Sequence, residues 1–183
     1  KFVALLLAVL MVASLCACGQ KGTGSDLQTV TKGKLIMSTN AEFAPYEYVA
    51  DDGKGFQGTG YEGIDIEIAY ALAQKLGLEL VVDNMDFDAA LSAVQTGKSD
   101  MVAAGVTVTP DRLNAMSFTD SYANGVQVVI VKEGSDIKSI DDLQGKKIGT
   151  QRGTTGFLYC SDDFGDDNVI GFDDGATAVQ NLK

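Results

Sequence analysis

Segments with a strand-like apolar pattern alternate with segments of helical period along most of this 183-residue chain. Ile64, Ile68, Leu72 and Leu76 recur at intervals of four, with Ala69 and Ala73 beside them, and Gly77 follows, which predicts a helix with a glycine stop. The same reasoning gives strands at residues 33–39, 78–82 and 100–104, and a second helix at residues 88–96. This alternation favours an α/β fold with a largely parallel sheet flanked by helices.

The segments between these elements have a different composition. Residues 40–48, N-A-E-F-A-P-Y-E-Y, are predicted to form an irregular, aromatic-rich loop. Residues 51–60 are rich in glycine and contain two aspartates, which indicates a hairpin-like turn.

A weak internal repeat divides the chain into two parts. Residues 87–98 match residues 172–183 without a gap at Phe, Asp, Ala, Val, Gln and Lys, and G-K-L-I and G-K-K-I precede a strand in each part. The repeat predicts two similar α/β lobes facing each other across a cleft, although chance or shared helix preference could also produce it. In the first copy a strand follows Lys98, whereas Lys183 is the last residue, so we expect lobe 2 to be truncated.

The segment A-A-G-V-T-V-T-P-D-R, residues 103–112, predicts a site for a small anion. A buried strand ends at Gly105, whose turn leaves backbone N–H groups without ladder partners. Thr109 is expected to cap a helix that has Pro110 at its first position. The Thr107 hydroxyl and the guanidinium fork of Arg112 complete a set of donors that suits a carboxylate. A strand, a turn and an ordinary surface arginine are the alternative.

Composition narrows the function classes. The net charge is -11 and histidine is absent. Nucleic-acid binding requires a basic surface, and histidine is the commonest general base and metal ligand. We therefore expect no nucleic-acid partner, no metal, no cofactor and no catalytic residues. The acidic run at residues 162–168 lacks the spacing of a calcium loop and is predicted to be a solvated loop.

The N-terminal residues look like a targeting signal. Residues 2–12 are apolar, and L-C-A-C at residues 15–18 resembles the lipobox of bacterial lipoproteins. The resemblance implies cleavage before Cys18 and its acylation, with residues 1–17 as signal peptide; an ordinary secretion signal remains the alternative. Residues 18–29 have the composition of a flexible tether. Cys160 is then left without a disulfide partner.

Several motifs together resemble the extracellular solute-binding proteins of the polar amino-acid type, which are receptors of ABC importers. They are the lipobox, N-A-E-F-A-P-Y-E-Y, G-I-D-I-E-I-A, D-F-D-A-A-L, the segment at residues 103–112, F-T-D-S-Y and G-T-Q-R-G-T-T-G. The resemblance implies a two-lobed periplasmic-binding-protein-like fold of type II, each lobe a mixed sheet flanked by helices. Lobe 1 would span residues 30–124, and residues 125–183 would form the hinge crossing and part of lobe 2.

The resemblance also implies a function and its partners. The protein would be a monomeric, lipid-anchored receptor outside the bacterial cell membrane that captures a free amino acid and delivers it to the membrane subunits of an ABC importer. A cyclohexadienyl dehydratase-like enzyme on the same fold is one alternative, with Glu42 as the candidate acid. A sensor input domain is another. Because the lobe 2 aspartate that binds the α-amino group in the family would lie beyond Lys183, we expect residues 19–183 alone to bind no amino acid with a Kd below about 1 mM.

The resemblance assigns the ligand α-carboxylate to four residues. Arg112 would pair with it, Gly105 and Thr107 would donate beside it, and Thr155 would add donors from a helix N-terminus in lobe 2.

The same resemblance assigns the ligand side chain to four others. Phe43 and Phe87 would sandwich it, both partly exposed in the open state, although Phe87 is also a plausible core residue. Asn40 and Gln151 would face its polar end. The family often has aspartate at the position of Asn40, so an amide there weakens the case for a cationic ligand, unless Glu42 supplies the charge.

Overall fold

The computed structural model describes residues 27–182 of the chain. The predicted signal peptide, the lipid-attachment residue Cys18 and most of the predicted tether lie outside the described residues, as does Lys183.

Eight strands and five α-helices follow one another over the described residues, and strands alternate with α-helices, as predicted, from Tyr61–Glu62 onward. The strands are β1 (Lys34–Thr39), β2 (Glu42–Phe43), β3 (Glu47–Val49), β4 (Tyr61–Glu62), β5 (Glu79–Asn84), β6 (Met101–Val102), β7 (Ile148–Gln151) and β8 (Val169–Phe172). The helices are α1 (Ile64–Leu76), α2 (Phe87–Gln95), α3 (Pro110–Ala115), α4 (Thr155–Phe164) and α5 (Gly175–Gln180). Short 3-10 helices lie at Phe56–Gly58, Ile140–Leu143 and Asp166–Asn168.

The first α/β unit, residues 34–115, is built on β1. This strand pairs in parallel with β5 on one side and with β6 on the other, so the order of the sheet is β5-β1-β6. Its core joins Met37 of β1 to Ile66 and Ala69 of α1 and to Ala103, which follows β6. Ends of parallel strands meet at one edge of a sheet, so the chain after β1 and the chain after β6 are delivered to the same place.

Helix α1 has the predicted bounds, and the alanines beside the four-residue repeat lie on its buried face. Ile64, Ile68 and Leu72 are 44%, 42% and 39% exposed, whereas Ile66, Ala69 and Ala73 are fully buried. The buried set is spaced at three and four residues, which is one face of a helix, and its two alanines allow the helix to lie close to the sheet. Gly77 ends the helix in the left-handed conformation, as predicted.

The prediction of an irregular loop at residues 40–48 is wrong. Residues 42–43 form β2 and residues 47–49 form β3, and with β4 they make a small antiparallel sheet of order β2-β3-β4. The glycine-rich residues 51–60 form the hairpin connection between β3 and β4, as predicted. Strands of two or three residues are too short to show a period of two in the sequence.

The second α/β unit, residues 148–180, repeats the order strand, helix, strand, helix. Strands β7 and β8 pair in parallel, with Ile148 opposite Val169. The two matched segments of the sequence repeat do not superimpose throughout: α2 and α5 both end at the matched Gln95 and Gln180, but Phe87 begins a helix whereas Phe172 ends a strand. The repeat therefore predicts the topology correctly and the helix start incorrectly.

Residues 116–139 connect the two units without forming a helix or strand. Their apolar side chains Val126, Val128 and Ile130 are 84%, 76% and 59% exposed. Over residues 27–182 no helix is both long and apolar enough to cross a membrane.

Candidate ligand site between the two units

The turn after β6 has the conformation that the sequence predicts. Gly105 has a φ of +57°, in the left-handed region that glycine adopts without strain. Thr109 caps α3, since its hydroxyl accepts a hydrogen bond from the Arg112 backbone N–H at 3.3 Å, and Pro110 begins the helix. The Gly105 N–H has no ladder partner but is not free: it donates to Oδ2 of Asp65 at 3.3 Å.

Sequence reasoning missed Asp65. It is the second residue of α1 and is fully buried, although aspartate is rarely buried without a partner. The sequence signal that points to Asp65 is its position in the predicted helix, directly before the buried Ile66.

Arg112 is buried where the two units meet. The residue is only 8% exposed, and its guanidinium lies over the ring of Phe87 at 5.7 Å from the centroid. Its Nη1 donates to the Thr107 carbonyl at 2.7 Å, and its Nη2 donates to the Gly153 carbonyl at 2.9 Å. Burial lowers the pKa of Arg112, but a guanidinium keeps its charge in proteins. The two carbonyls therefore hold a charged fork in a fixed orientation.

Thr107 thus contributes a backbone carbonyl to the position of Arg112. The expectation from the sequence was that its hydroxyl would bind the ligand. Thr107 itself is exposed, so its hydroxyl is accessible at the surface of the turn.

The N-terminus of α4 lies next to this arginine. Thr155 is the first residue of the helix, as predicted, and is 5% exposed. The Thr154 hydroxyl caps the helix by accepting from the Phe157 N–H at 3.2 Å. Gly153, whose carbonyl binds Arg112, comes directly before this cap. The positive end of a helix dipole and a buried guanidinium therefore lie together, an arrangement that favours an anion.

The two amide side chains predicted to face a ligand are brought together. Nε2 of Gln151 donates to Oδ1 of Asn40 at 2.8 Å, which links the second unit to the first. Gln151 also donates to the Asp173 carbonyl at 2.9 Å, and Asn40 donates to the Met85 carbonyl at 3.0 Å. Both amides are thereby fixed in orientation.

Phe43 and Phe87 have different environments. Phe43 is 51% exposed and stacks on Tyr46 with ring centroids 5.5 Å apart. It also borders the ligand turn, because a Cβ added to Gly105 would lie 3.0 Å from the edge of its ring. Phe87 is 6% exposed and packs in a core cluster with Leu91 and Ala104. The expected partial exposure therefore holds for Phe43 and not for Phe87.

Two further candidates stand apart from this site. Glu42, the candidate acid of the enzymatic alternative, is exposed on β2. Residues 27–182 contain no group of three or more acidic, cysteine or histidine side chains placed to hold a metal ion.

We expect Gln151→Ala to weaken ligand binding about threefold to tenfold, because one hydrogen bond between the units is lost at about 0.5 to 1.5 kcal/mol. The free energy of unfolding should change by less than that amount, since Gln151 is half-buried. Calorimetric titration of the variant and the parent measures the affinity, and chemical denaturation measures the free energy of unfolding. Equal affinities would show that the Asn40–Gln151 contact does not contribute to closure.

A buried arginine, a capped helix N-terminus and an exposed aromatic ring lie where two α/β units contact, and this geometry is typical of a protein with a cleft between two lobes. The family model for bacterial extracellular solute-binding proteins, family 3, matches residues 35–181. The chain belongs to this family, and its expected two-lobed α/β fold is confirmed.

The relatives are amino-acid-binding proteins by name. The arginine-binding extracellular protein ArtP of Bacillus subtilis is 37% identical over 84% of this chain and 56% of its own length. A probable histidine-binding protein of Neisseria gonorrhoeae is 35% identical over 92% of this chain and 61% of its own length. The chain thus spans little more than half the length of these relatives. The structure of the arginine-bound form of truncated ArgBP from T. maritima is 33% identical, with a TM-score of 0.75 over 84% of this chain and 70% of that one.

Proposed function

We propose that this protein is an extracytoplasmic receptor that captures a free amino acid between its two lobes and delivers it to the membrane subunits of an ABC importer. Lobe 1 corresponds to residues 30–124, and residues 125–183 form the hinge crossing and the part of lobe 2 within this sequence. The observation that carries the proposal is the burial of Arg112 between the two units, with its guanidinium held by carbonyls from both.

The α-carboxylate of the ligand would bind to Arg112. Two of its five N–H groups donate to the Thr107 and Gly153 carbonyls, which orients the remaining ones before a ligand arrives. Gly105 and Thr107 would contribute from the first lobe and Thr155 from the N-terminus of α4. A donor set fixed in advance binds more tightly because less conformational entropy is lost on binding.

The side chain of the ligand would lie against Phe43. This ring is exposed, borders the turn at Gly105 and offers an apolar face. Asn40 and Gln151 would contact a polar end of the side chain by rearranging their mutual hydrogen bond. Buried Phe87 would instead pack its ring against the guanidinium of Arg112. We propose L-arginine and L-histidine as the first candidates, because relatives are named for binding them.

Isothermal titration of the full-length protein that carries this sequence tests the proposal. The panel is L-arginine, L-histidine, L-glutamine and L-cystine, with a sugar as the negative control. We expect a Kd in the micromolar range or below for at least one amino acid, and competition between those that bind. Absence of binding to any amino acid would contradict the proposal.

The same samples decide between receptor and enzyme. A receptor returns the bound compound unchanged, whereas a dehydratase-like enzyme eliminates water from it. Mass spectrometry of the ligand after prolonged incubation distinguishes the two, and recovery of the intact compound supports the receptor.

The lipid anchor at Cys18 is part of the proposal. Several acyl chains on one cysteine bind a membrane durably, since each buried methylene contributes about 0.8 kcal/mol. We expect the protein to fractionate with membranes as a monomer after detergent extraction, and Cys18→Ala to release it into the soluble fraction. Equal membrane fractions for both forms would contradict the anchor.

A further inference from the structure

Two carboxyl groups from different elements are buried together beneath the candidate site. Glu47, the first residue of β3, is 1% exposed, and Asp65 of α1 is fully buried. Oε2 of Glu47 and Oδ1 of Asp65 are buried and have no hydrogen-bond partner among the described residues when both groups are ionised. Two buried carboxylates side by side are strongly unfavourable, so one group is expected to keep its proton.

Among the described residues no lysine or arginine forms an ion pair with either carboxyl group. Asp65 accepts from the Gly105 N–H at 3.3 Å. Its own N–H donates at 2.9 Å to the carbonyl of Tyr46, the residue before Glu47, which places the two acidic residues side by side. The ion pairs between described residues, Lys34–Glu79 and Arg152–Asp173, lie elsewhere.

The two carboxyl groups differ in what they contact. Asp65 is the one that accepts a hydrogen bond from a donor, the Gly105 amide, and a donor stabilises a carboxylate. Burial, followed by the nearby charge of Asp65, raises the pKa of Glu47 to about 10. Burial and Asp65 also raise the pKa of Tyr122, which keeps its hydroxyl protonated. The retained proton therefore belongs on Glu47.

We infer that Glu47 donates a retained proton to Asp65, and that the Asp65 carboxylate thereby holds the Gly105 amide and fixes the turn that carries the ligand donors. Neither residue touches the ligand; both are positioning residues. The consequence for binding rests on the proposed function, whereas the shared proton does not.

The contact of Asp65 with the Gly105 amide acts on the turn that carries the ligand donors. Gly105 has a positive φ and lies against the ring of Phe43, with Thr107 and Arg112 following within seven residues. A turn that lost the Asp65 contact would have an unpaired Gly105 amide, and its remaining polar contact before the Thr109 cap would be the bond between the Thr107 carbonyl and Arg112. The positions of the Thr107 carbonyl and of Arg112 would then vary together.

The shared proton is tested by Glu47→Gln, which keeps a donor facing Asp65 and removes the ionisable group. A group whose folded pKa is raised stabilises the fold fully below its unfolded pKa, and this stabilisation is lost as pH rises toward the folded pKa. Between about pH 5.5 and 8.5 the unfolding constant of the parent relative to that of the variant should therefore rise about tenfold per pH unit. Glu67→Gln, at an exposed position of α1, the helix that carries Asp65, is the matched control and should leave the slope of the parent unchanged.

Chemical denaturation at four pH values measures this difference without any ligand. Parallel curves for the parent and Glu47→Gln would overturn the inference, because Glu47 would then be ionised in the fold. A parent whose stability is independent of pH but rises with added Na⁺ or Ca²⁺ would also overturn it, since a cation would be neutralising the pair.

The positioning role is tested by affinity for the amino acid found in the titration panel. We expect Glu47→Gln to bind within twofold of the parent, and Asp65→Ala to bind about tenfold more weakly or worse because the Gly105 amide loses its acceptor. Asp65→Asn, which keeps one oxygen acceptor and the size of the side chain, covers the case in which Asp65→Ala fails to fold. It should weaken binding about threefold to tenfold, because an amide oxygen is a weaker acceptor for the Gly105 N–H than a carboxylate.

Full affinity in a folded Asp65→Asn or Asp65→Ala variant would overturn the positioning role, since a purely structural pair lowers stability and leaves affinity alone. If the parent binds no amino acid, the proposed function fails while the pH slopes still decide the shared proton.

Discussion

Replacing Arg112 with alanine is expected to weaken binding of the amino acid about tenfold to a hundredfold, equivalent to about 1.5 to 3 kcal/mol. The substitution removes the charged donor of the carboxylate and leaves the Thr107 and Gly153 carbonyls without a donor. Because those carbonyls belong to different units, the variant also loses a contact that joins them. Arg112→Lys should fail similarly, since one ammonium group does not reproduce a planar fork.

Isothermal titration of the full-length protein with its best ligand measures the effect. Arg152→Ala is the matched control, because this arginine pairs with Asp173 in the second unit and its side chain is 49% exposed. The control should bind within twofold of the parent. Unchanged affinity in Arg112→Ala, with the control behaving as expected, would remove Arg112 from the site.

Phe87→Ala is expected to lower the free energy of unfolding by about 3 to 5 kcal/mol, the usual cost of truncating a buried phenylalanine. The ring is 6% exposed and contacts Leu91 and Ala104 as well as the guanidinium of Arg112. The expectation from the sequence, in which both phenylalanines sandwich the ligand at little cost in stability, therefore applies only to Phe43. Phe43→Ala should weaken binding by about 1 to 3 kcal/mol and change stability by about 1 kcal/mol or less.

Thermal and chemical denaturation without ligand, followed by titration of whichever variants fold, separates the two aromatic residues. A loss of stability below about 1 kcal/mol in Phe87→Ala would mean that its ring is not part of the core. A large loss in Phe43→Ala would mean that the ring seals the small antiparallel sheet rather than the ligand site.

The sequence predicts well those elements that are determined by local rules. The glycine stop after α1, the proline and threonine at the start of α3 and the alternation of strands and helices each depend on residues next to each other in the chain. Family membership also follows from short motifs. These features together place Arg112 and Thr155 on the correct elements.

Features that depend on distant parts of the chain are not predicted. Asp65 binds the Gly105 amide 40 residues away, and Gln151 binds Asn40 from 111 residues away. No local pattern reports such pairs. The buried face of α1 also depends on distant residues: large apolar residues dominate the periodic pattern, but close packing against the sheet selects Ala69 and Ala73 beside them.

The Gly153 carbonyl already accepts a hydrogen bond from Nη2 of Arg112, so a ligand that binds this nitrogen has to displace an internal hydrogen bond. A carboxylate that approaches Arg112 competes with this carbonyl for Nη2 or has to accept from the nitrogens that remain, so the measured affinity includes the strength of an internal contact. Substitutions of Thr154, which follows Gly153 and caps α4, should therefore change affinity without touching the ligand. Gly153 has a φ of +74°, and a Cβ there would lie 3.0 Å from Cβ of Asp88, so few replacements fit. Selection for tighter or looser binding is thus directed to Thr154 rather than to the glycine.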